Sequence, residues 1–457
     1  MNSMDERVQA GTRDGTAREA DGRLAAFLQA VGAPTGDLRG RDLTAGALRG
    51  TTGERDAADT WWNGERQGLD LSRLDLAGLT LDRADLSGAD LGAVRFAGGR
   101  ARSVRIEGAV VEAADFAAAD LSGASFRRAV AGQASLREAM LEDAVFDGAT
   151  MRFADLGKAL LDGASFDGTD LWGASFVGAD ADGTLFLGAR LEEADLRDVN
   201  LTHADFTGAS LKLAKLAGSR LRGANFSNAR LDGADLSGAD LSGTTLTRLN
   251  LSTCNLRHAR FAGAWIEGSR MRMEQIGGAV GEEVAGEFEA AQASYLALEA
   301  NFTSIGAKDE ASWAYKSGRR MGRSAAGAKA KAALRERRTR TFLAAFYRWS
   351  ADRFVEWLCD YGESMSRITR AFAILILVFA VLFGLAAGLV PAGATAGTRN
   401  VLDLVSYSAL NMMTANPPEI GLDPVGRFTN FLVGLQGAVG IILMGLFGYV
   451  LGNRIRR

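Results

Sequence analysis

Little in this chain supports disulfide or metal chemistry. Its 457 residues hold two cysteines and two histidines, too few for a disulfide framework or a His-rich metal centre. Proline is nearly absent. Of five, one is Pro34, and the other four, Pro391, Pro417, Pro418 and Pro424, crowd one C-terminal stretch. No sign of charge dominates: 52 basic and 55 acidic side chains leave −3, which excludes a generally basic, nucleic-acid-coating protein. The N-terminus lacks a basic run followed by an apolar one, so no signal peptide is expected. Long uncharged apolar stretches occur only near the C-terminus.

What the chain has in abundance is a repeat. From Leu69 it reads LDLSR, LDLAG, LTLDR, ADLSG, ADLGA, and with Leu71 as the first centre the units run without insertion or deletion to Ile276, 42 in all. Only Ala101, Ala131 and Ala181 depart from a centre of Leu, Phe, Ile, Met or Val, and in 37 units the residue two before the centre is small. A period of five matches neither one long helix nor one long strand. A coil that turns a corner every five residues puts the centre and the small residue inward and leaves Asp, Ser, Arg and Gly in water. This A-(D/N)-L-x-x pattern resembles the pentapeptide-repeat family. The resemblance implies a right-handed quadrilateral β-solenoid with four units per coil, stacked at ~4.8 Å into a rod roughly 50 Å long.

The solenoid offers no catalytic, cofactor-binding or metal-binding residues, and no enzyme is expected. Cys254 takes an inward position, where a thiol is inert. His203 and His258 fall on different faces, too far apart to share a metal. The carboxylate pairs Glu142–Asp143 and Glu192–Glu193 sit on a solvated wall. Between Glu138 and Asp205 there are 15 acidic and 4 basic residues. Some members of the resembled family mimic a DNA duplex, so inhibition of a DNA-binding enzyme is one reading of this acidic stretch. The other is that Asp belongs to the repeat, and no nucleic-acid partner is then expected. An unidentified protein partner on the rod is the expectation.

Residues 1–68 read as a flexible arm and a solenoid cap, with a short helix around Arg23–Val31 and with Trp61 and Trp62 over the first coil. The solenoid proper is assigned to 69–278. Over 279–340 the period changes. Val284, Phe288, Ala291, Tyr295, Leu298 and Phe302 follow at steps of 4, 3, 4, 3 and 4, one face of a helix. A break at Ser304–Gly306 and acidic residues at Asp309–Glu310 open a second helix, giving a hairpin that caps the rod. From Lys316 to Arg340 ten residues are basic and one acidic, a cluster that anionic lipids of the inner leaflet would attract. Residues 341–370, with Phe342, Phe346, Tyr347, Trp349, Phe354, Trp357 and Tyr361, read as an amphipathic interfacial helix.

The last segment, 371–457, carries two uncharged spans, 371–390 and 431–450, each long enough to cross a bilayer. Arginines flank their outer ends (Arg367, Arg370, Arg454, Arg456, Arg457), and only Arg399 and Arg427 lie in the connection. The positive-inside rule then places the solenoid and the C-terminus in the cytoplasm of a multi-pass protein of the cell membrane. In the connection, Val401–Met413 reads as a short helix that Pro417–Pro418 must end. Span, short helix, irregular turn and span is the plan of a pore-loop channel subunit, of which several must surround one pore. Residues 283–457 resemble a family in which a pentapeptide solenoid is fused to a potassium-channel-like domain. The stretch Asp309–Tyr315, Tyr361-Gly362-Glu363 and the pore region carry the likeness. It implies a tetramer, with Tyr407-Ser408 opening the pore helix, Thr414 as filter threonine, Pro424 and Gly426-Arg427 turning into the inner helix, Gln436 where such channels often carry Glu, and Gly440 as hinge.

The filter departs from the family. A T-x-G-Y-G run is replaced by Thr414-Ala415-Asn416-Pro417-Pro418-Glu419-Ile420-Gly421, so potassium selectivity does not carry over. Thr414, Ala415, Asn416 and Glu419 remain the candidate ion pathway, with polar and acidic rings that favour cations. The sequence leaves two readings of this domain open, a cation-conducting pore and a non-conducting membrane anchor for an interaction scaffold.

Overall fold

The computed structural model describes residues 22–29, 31–33, 35–41, 43, 62–63, 68–414 and 421–455. It divides into two compact units, Met1–Ala314 and Tyr315–Arg457.

In the first unit the period of five becomes a β-solenoid. Bridges link residues one coil apart, Asp70 to Asp90, Asp90 to Val110, and onward to Asn250 with Arg270, all parallel. Their spacing shows that four units complete a coil. Backbone bonds run up the stack, as from Leu71 N to the Asp90 carbonyl at 2.8 Å, and each corner closes on itself, as from Ala84 N to the Leu81 carbonyl at 2.9 Å. The last residue of the corner has positive φ, which explains the glycine of the repeat; Arg83 (φ 59) and Gly88 (φ 72) occupy equivalent places. Inside, the centres and small residues are buried from Leu71 to Ile276. Buried hydroxyls at small positions are satisfied, Thr169 donating to the Phe146 carbonyl at 2.8 Å and Thr184 to that of Leu161 at 3.0 Å.

Both ends of the stack are covered. A helix over residues 22–29, α1, buries Phe27. Leu38 and Leu43 then bond onto the first coils, Leu38 N to the Thr80 carbonyl at 3.0 Å and Leu43 N to that of Asp85 at 2.8 Å. Leu38 and Leu43 are buried, five apart, and each follows Asp. This segment thus carries two further repeat units within the stretch read as arm and cap. Strand β1 (Trp62–Asn63) pairs antiparallel with β2 (Gly68–Leu69); Trp61 lies outside the described residues.

At the far end, α2 (Met273–Ile276) and α3 (Gly281–Val284) lead into α4 (Phe288–Ser304). Helix α4 buries Ala291, Tyr295, Leu298 and Phe302. Val284, expected on the same face, is exposed because α3 ends before α4 begins. Polar side chains take the place of the missing next coil. Glu282 accepts from Phe261 N and Ala262 N, both at 3.1 Å, and Asn301 exchanges two 3.0 Å bonds with the Ser269 backbone. An open solenoid end would leave these donors without partners.

Helix α5 (Lys308–Arg335) precedes the helices of the second unit, α6 (Thr339–Cys359), α7 (Met365–Ala386), α8 (Val401–Thr414) and α9 (Arg427–Ile455). Strands β3 (Leu389–Pro391) and β4 (Leu422–Pro424) pair antiparallel, Val390 opposite Asp423. The first span expected over 371–390 therefore shifts. The helix starts at Met365 and stops at Ala386, where Ala387 turns left-handed and the chain enters β3.

Candidate functional site

The site is built by α7, α8 and α9. The β3–β4 ladder ties the exit of α7 to the entrance of α9, so the chain leaves after Pro391 and rejoins at Leu422 in the same place. Within that excursion Asn400 caps α8, its Oδ1 accepting from Leu402 N at 3.1 Å. Helix α8 packs against both long helices. Its Ser408 hydroxyl donates to the carbonyl of Ile376, midway along α7, at 2.7 Å. Further on, the Met412 carbonyl lies against Gly440, midway along α9; a Cβ at Gly440 would stand 2.0 Å from that oxygen. A half-length helix thus descends between two long ones and stops near their midpoints.

The seam is polar and closed. Ser408, Asn411 and Gln436 are each fully buried. Gln436 Nε2 donates to the Ser408 carbonyl at 2.9 Å and to its hydroxyl at 2.6 Å, and Asn411 Nδ2 donates to Gln436 Oε1 at 2.9 Å and to the Val433 carbonyl at 3.1 Å. These bonds fix the depth and rotation of α8. The outer surface is apolar instead: Leu377, Val381 and Leu385 of α7 and Ile441 and Ile442 of α9 are exposed. Both helices are long and apolar enough to cross a membrane, and only 28% of each apolar window is buried.

Of the residues read from sequence, Thr414 is the last of α8 and Gly440 is the contact point with α8. Ala415, Asn416, Pro417, Pro418 and Glu419 lie outside the described residues. Pro424 ends β4, Gly426 has φ 94, and Arg427 opens α9. Asn411 was missed; its signal was a second uncharged polar residue one helical turn after Ser408 in an apolar run.

The basic cluster is not all free for lipid. Arg319 pairs with Asp352 at 2.5 Å, Arg320 with Glu356 at 3.2 Å, Arg323 also with Glu356, and Arg367 with Asp360 at 3.3 Å. Lys316 stands 3.9 Å from Asp360. The acids of α6 and of the turn after it therefore engage the first half of the cluster and join α5, α6 and α7.

On the solenoid, Asp162 is held above the usual carboxylate range by burial and by Asp180, Asp182 and Glu142 around it. His203 Nδ1 lies 3.2 Å from Asp182, while His258 faces the Ala279 carbonyl. Among the described residues no cluster suited to a metal ion occurs. Burial pushes the Cys254 thiol up to about 12, with its Sγ donating to the Leu231 carbonyl at 3.0 Å. Burial also raises the Cys359 thiol. Neither forms appreciable thiolate near neutral pH. Iodoacetamide at pH 8 is expected to leave both unmodified in the folded protein and to alkylate both in denaturant, as read by intact mass. Rapid labelling of native protein would contradict the burial.

A pentapeptide-repeat family model matches this chain over residues 114–152, 144–180, 174–212, 209–248 and 234–272. Among solved structures it is similar to HetL, a pentapeptide repeat protein involved in heterocyst differentiation regulation from the cyanobacterium Nostoc. Identity is 30% over 44% of this chain and 84% of that one, with a TM-score of 0.18. It is also similar to QnrB1, a plasmid-mediated fluoroquinolone resistance protein, at 23% identity over 38% and 88% of the two chains, TM-score 0.21. A pentapeptide repeat protein of the Arabidopsis thaliana thylakoid lumen is 34% identical over 20% of this chain and 61% of that one, TM-score 0.14. None of the curated proteins matches.

Proposed function

The chain belongs to the pentapeptide-repeat proteins, and from that premise we propose that it is a solenoid joined to a membrane pore-loop domain that conducts cations as an oligomer. The observation that carries the reading is α8, seated between two helices long enough to span and ending near their midpoints, with the chain returned to its starting place by β3 and β4. Non-helical backbone at membrane depth is tolerable where it lines a watery cavity. The end of α8 brings the partial negative charge of its helix dipole to that depth, which favours a cation. Thr414 ends α8 at that depth; Ala415, Asn416 and Glu419, the rest of the path read from sequence, lie outside the described residues; and Gly440 is the place where α9 would bend. One chain cannot enclose a pore, so several copies, four by resemblance, surround it.

In this reading the basic flanks face the cytoplasm of the cell membrane, and the solenoid, right-handed and four-sided, is a scaffold or regulatory rod for a protein partner. Purified protein in planar bilayers is expected to carry cation current, and Glu419→Gln to lower it several-fold. Absence of current under every ionic condition leaves the same two helices as an anchor for a scaffold. The loss of the T-x-G-Y-G run favours that second reading.

A further inference from the structure

Helix α6 presents two opposite faces. Its only acids, Asp352 and Glu356, turn to Arg319, Arg320 and Arg323 of α5. Trp349 seats against Gly327 of α5, where a Cβ would meet its ring at 3.1 Å. The other face carries Leu343, Phe346, Tyr347, Phe354 and Trp357, spaced by helical turns and exposed by 62%, 47%, 73%, 57% and 37%. Arg340, Arg348 and Arg353 of the same helix are exposed as well; Arg340 and Arg353 flank the aromatic face, and Arg353 also stands 3.9 Å from Glu356. Both acids of α6 are engaged by α5, so the aromatic face carries no negative charge and is flanked by arginine.

We propose that this face lies on the surface of an anionic lipid bilayer. The proposal rests on the reading that α7 crosses the membrane. Two observations select lipid as the occupant. The first is charge: the acids are withdrawn into the α5 pairs, which leaves arginines for phosphate and carboxylate headgroups. The second is continuity. Leu358 and Cys359 at the end of α6 pack with Ile368 and Ala371 at the start of α7, which puts the aromatic face beside the α7 entrance, where Trp and Tyr favour the headgroup layer. The α5 pairing gives the acids their role. Without it, carboxylates on α6 would be repelled by the same headgroups.

The test uses the full chain, reconstituted in phosphatidylserine-containing vesicles, with nitroxide labels at Phe346→Cys, Phe354→Cys and, as reference on α7, Val381→Cys. The native thiols are buried. Collision with oxygen reports lipid and collision with a water-soluble nickel chelate reports water. Oxygen is expected to dominate at 346 and 354 as at 381, and the oxygen-to-nickel ratio at 346 and 354 to fall at least about twofold in neutral phosphatidylcholine or with Arg340, Arg348 and Arg353 changed to Gln. Nickel dominance at 346 and 354 overturns the proposal. So does access to neither reagent, which means that a second copy covers the face, and so does a ratio indifferent to lipid charge. Nickel dominance at 381 as well removes the membrane reading itself.

Discussion

Gly440→Ala is expected to dislodge α8 from α9 and to destabilise the two-span unit by at least about 3 kcal/mol. The added carbon would lie 2.0 Å from the Met412 carbonyl oxygen and 2.9 Å from its carbon, against the ~3.3 Å of an ordinary close carbon–oxygen contact. The obstacle is backbone and cannot rotate away, so the helices must part. Parting strains the bonds along the same seam, Gln436 to Ser408 and Asn411 to Val433. Each buried polar group left without a partner costs about 1–3 kcal/mol. The control lies on the same helix. Gly434, Gly445 and Gly448 have nothing within 4 Å of an added Cβ, and alanine there is expected to be neutral or to stabilise by up to ~1 kcal/mol through helix propensity. Thermal unfolding in detergent, followed by size-exclusion profile, compares the four variants. Equal behaviour would mean that α8 does not sit on α9. Bilayer recording of the same variants separates a hinge role for Gly440 from packing, since a lost hinge changes conduction at unchanged stability.

The solenoid was legible because its signal is periodic and its partners are fixed by the period. Once the unit is five residues and the coil four units, every bridge within 69–278 follows, including Asp115 with Ser135 and Asp195 with Lys215. The inner face of α4 was legible for a similar reason: Ala291, Tyr295, Leu298 and Phe302 mark a helix wherever it docks. Leu38 and Leu43 escaped because two units carry too little periodicity to stand out. Partners distant in sequence escaped as well. Arg319, Arg320 and Arg323 read as lipid-seeking because spacing describes one helix at a time, while Asp352 and Glu356 that bind them come from the next. In the candidate site the span, the short helix and Gln436 were readable from hydropathy, prolines and resemblance. That Asn411 faces Gln436 depends on the rotation of α8, which no pattern along the chain encodes.

Phe166→Ala is expected to cost about 3–5 kcal/mol and to lower the solenoid's thermal midpoint on the order of 10 °C. Phe166 is fully buried at mid-stack. Its ring stacks on Phe146 at 4.8 Å and on Phe186 at 5.2 Å, and meets Phe176 edge-on at 5.8 Å. The same column continues through Phe126 at one end and Phe206 and Phe226 at the other, at 4.9 Å steps. The coils above and below are pinned by their own backbone bridges, Ser165 to both Val145 and Leu185, so they cannot collapse into the hole. A solenoid is stabilised by contacts between neighbouring coils, and a gap at the middle weakens both interfaces of one coil. Phe153→Gly is the comparison. That ring is 51% exposed, leans on Trp172 at 4.7 Å, and occupies a corner with φ 59. Glycine relieves the backbone there while the ring contact is lost, so the change is expected to stay within about 1 kcal/mol. Calorimetry of the full chain reads both. A small effect at Phe166 would mean that the ring column contributes little and that the backbone ladder alone holds the coils.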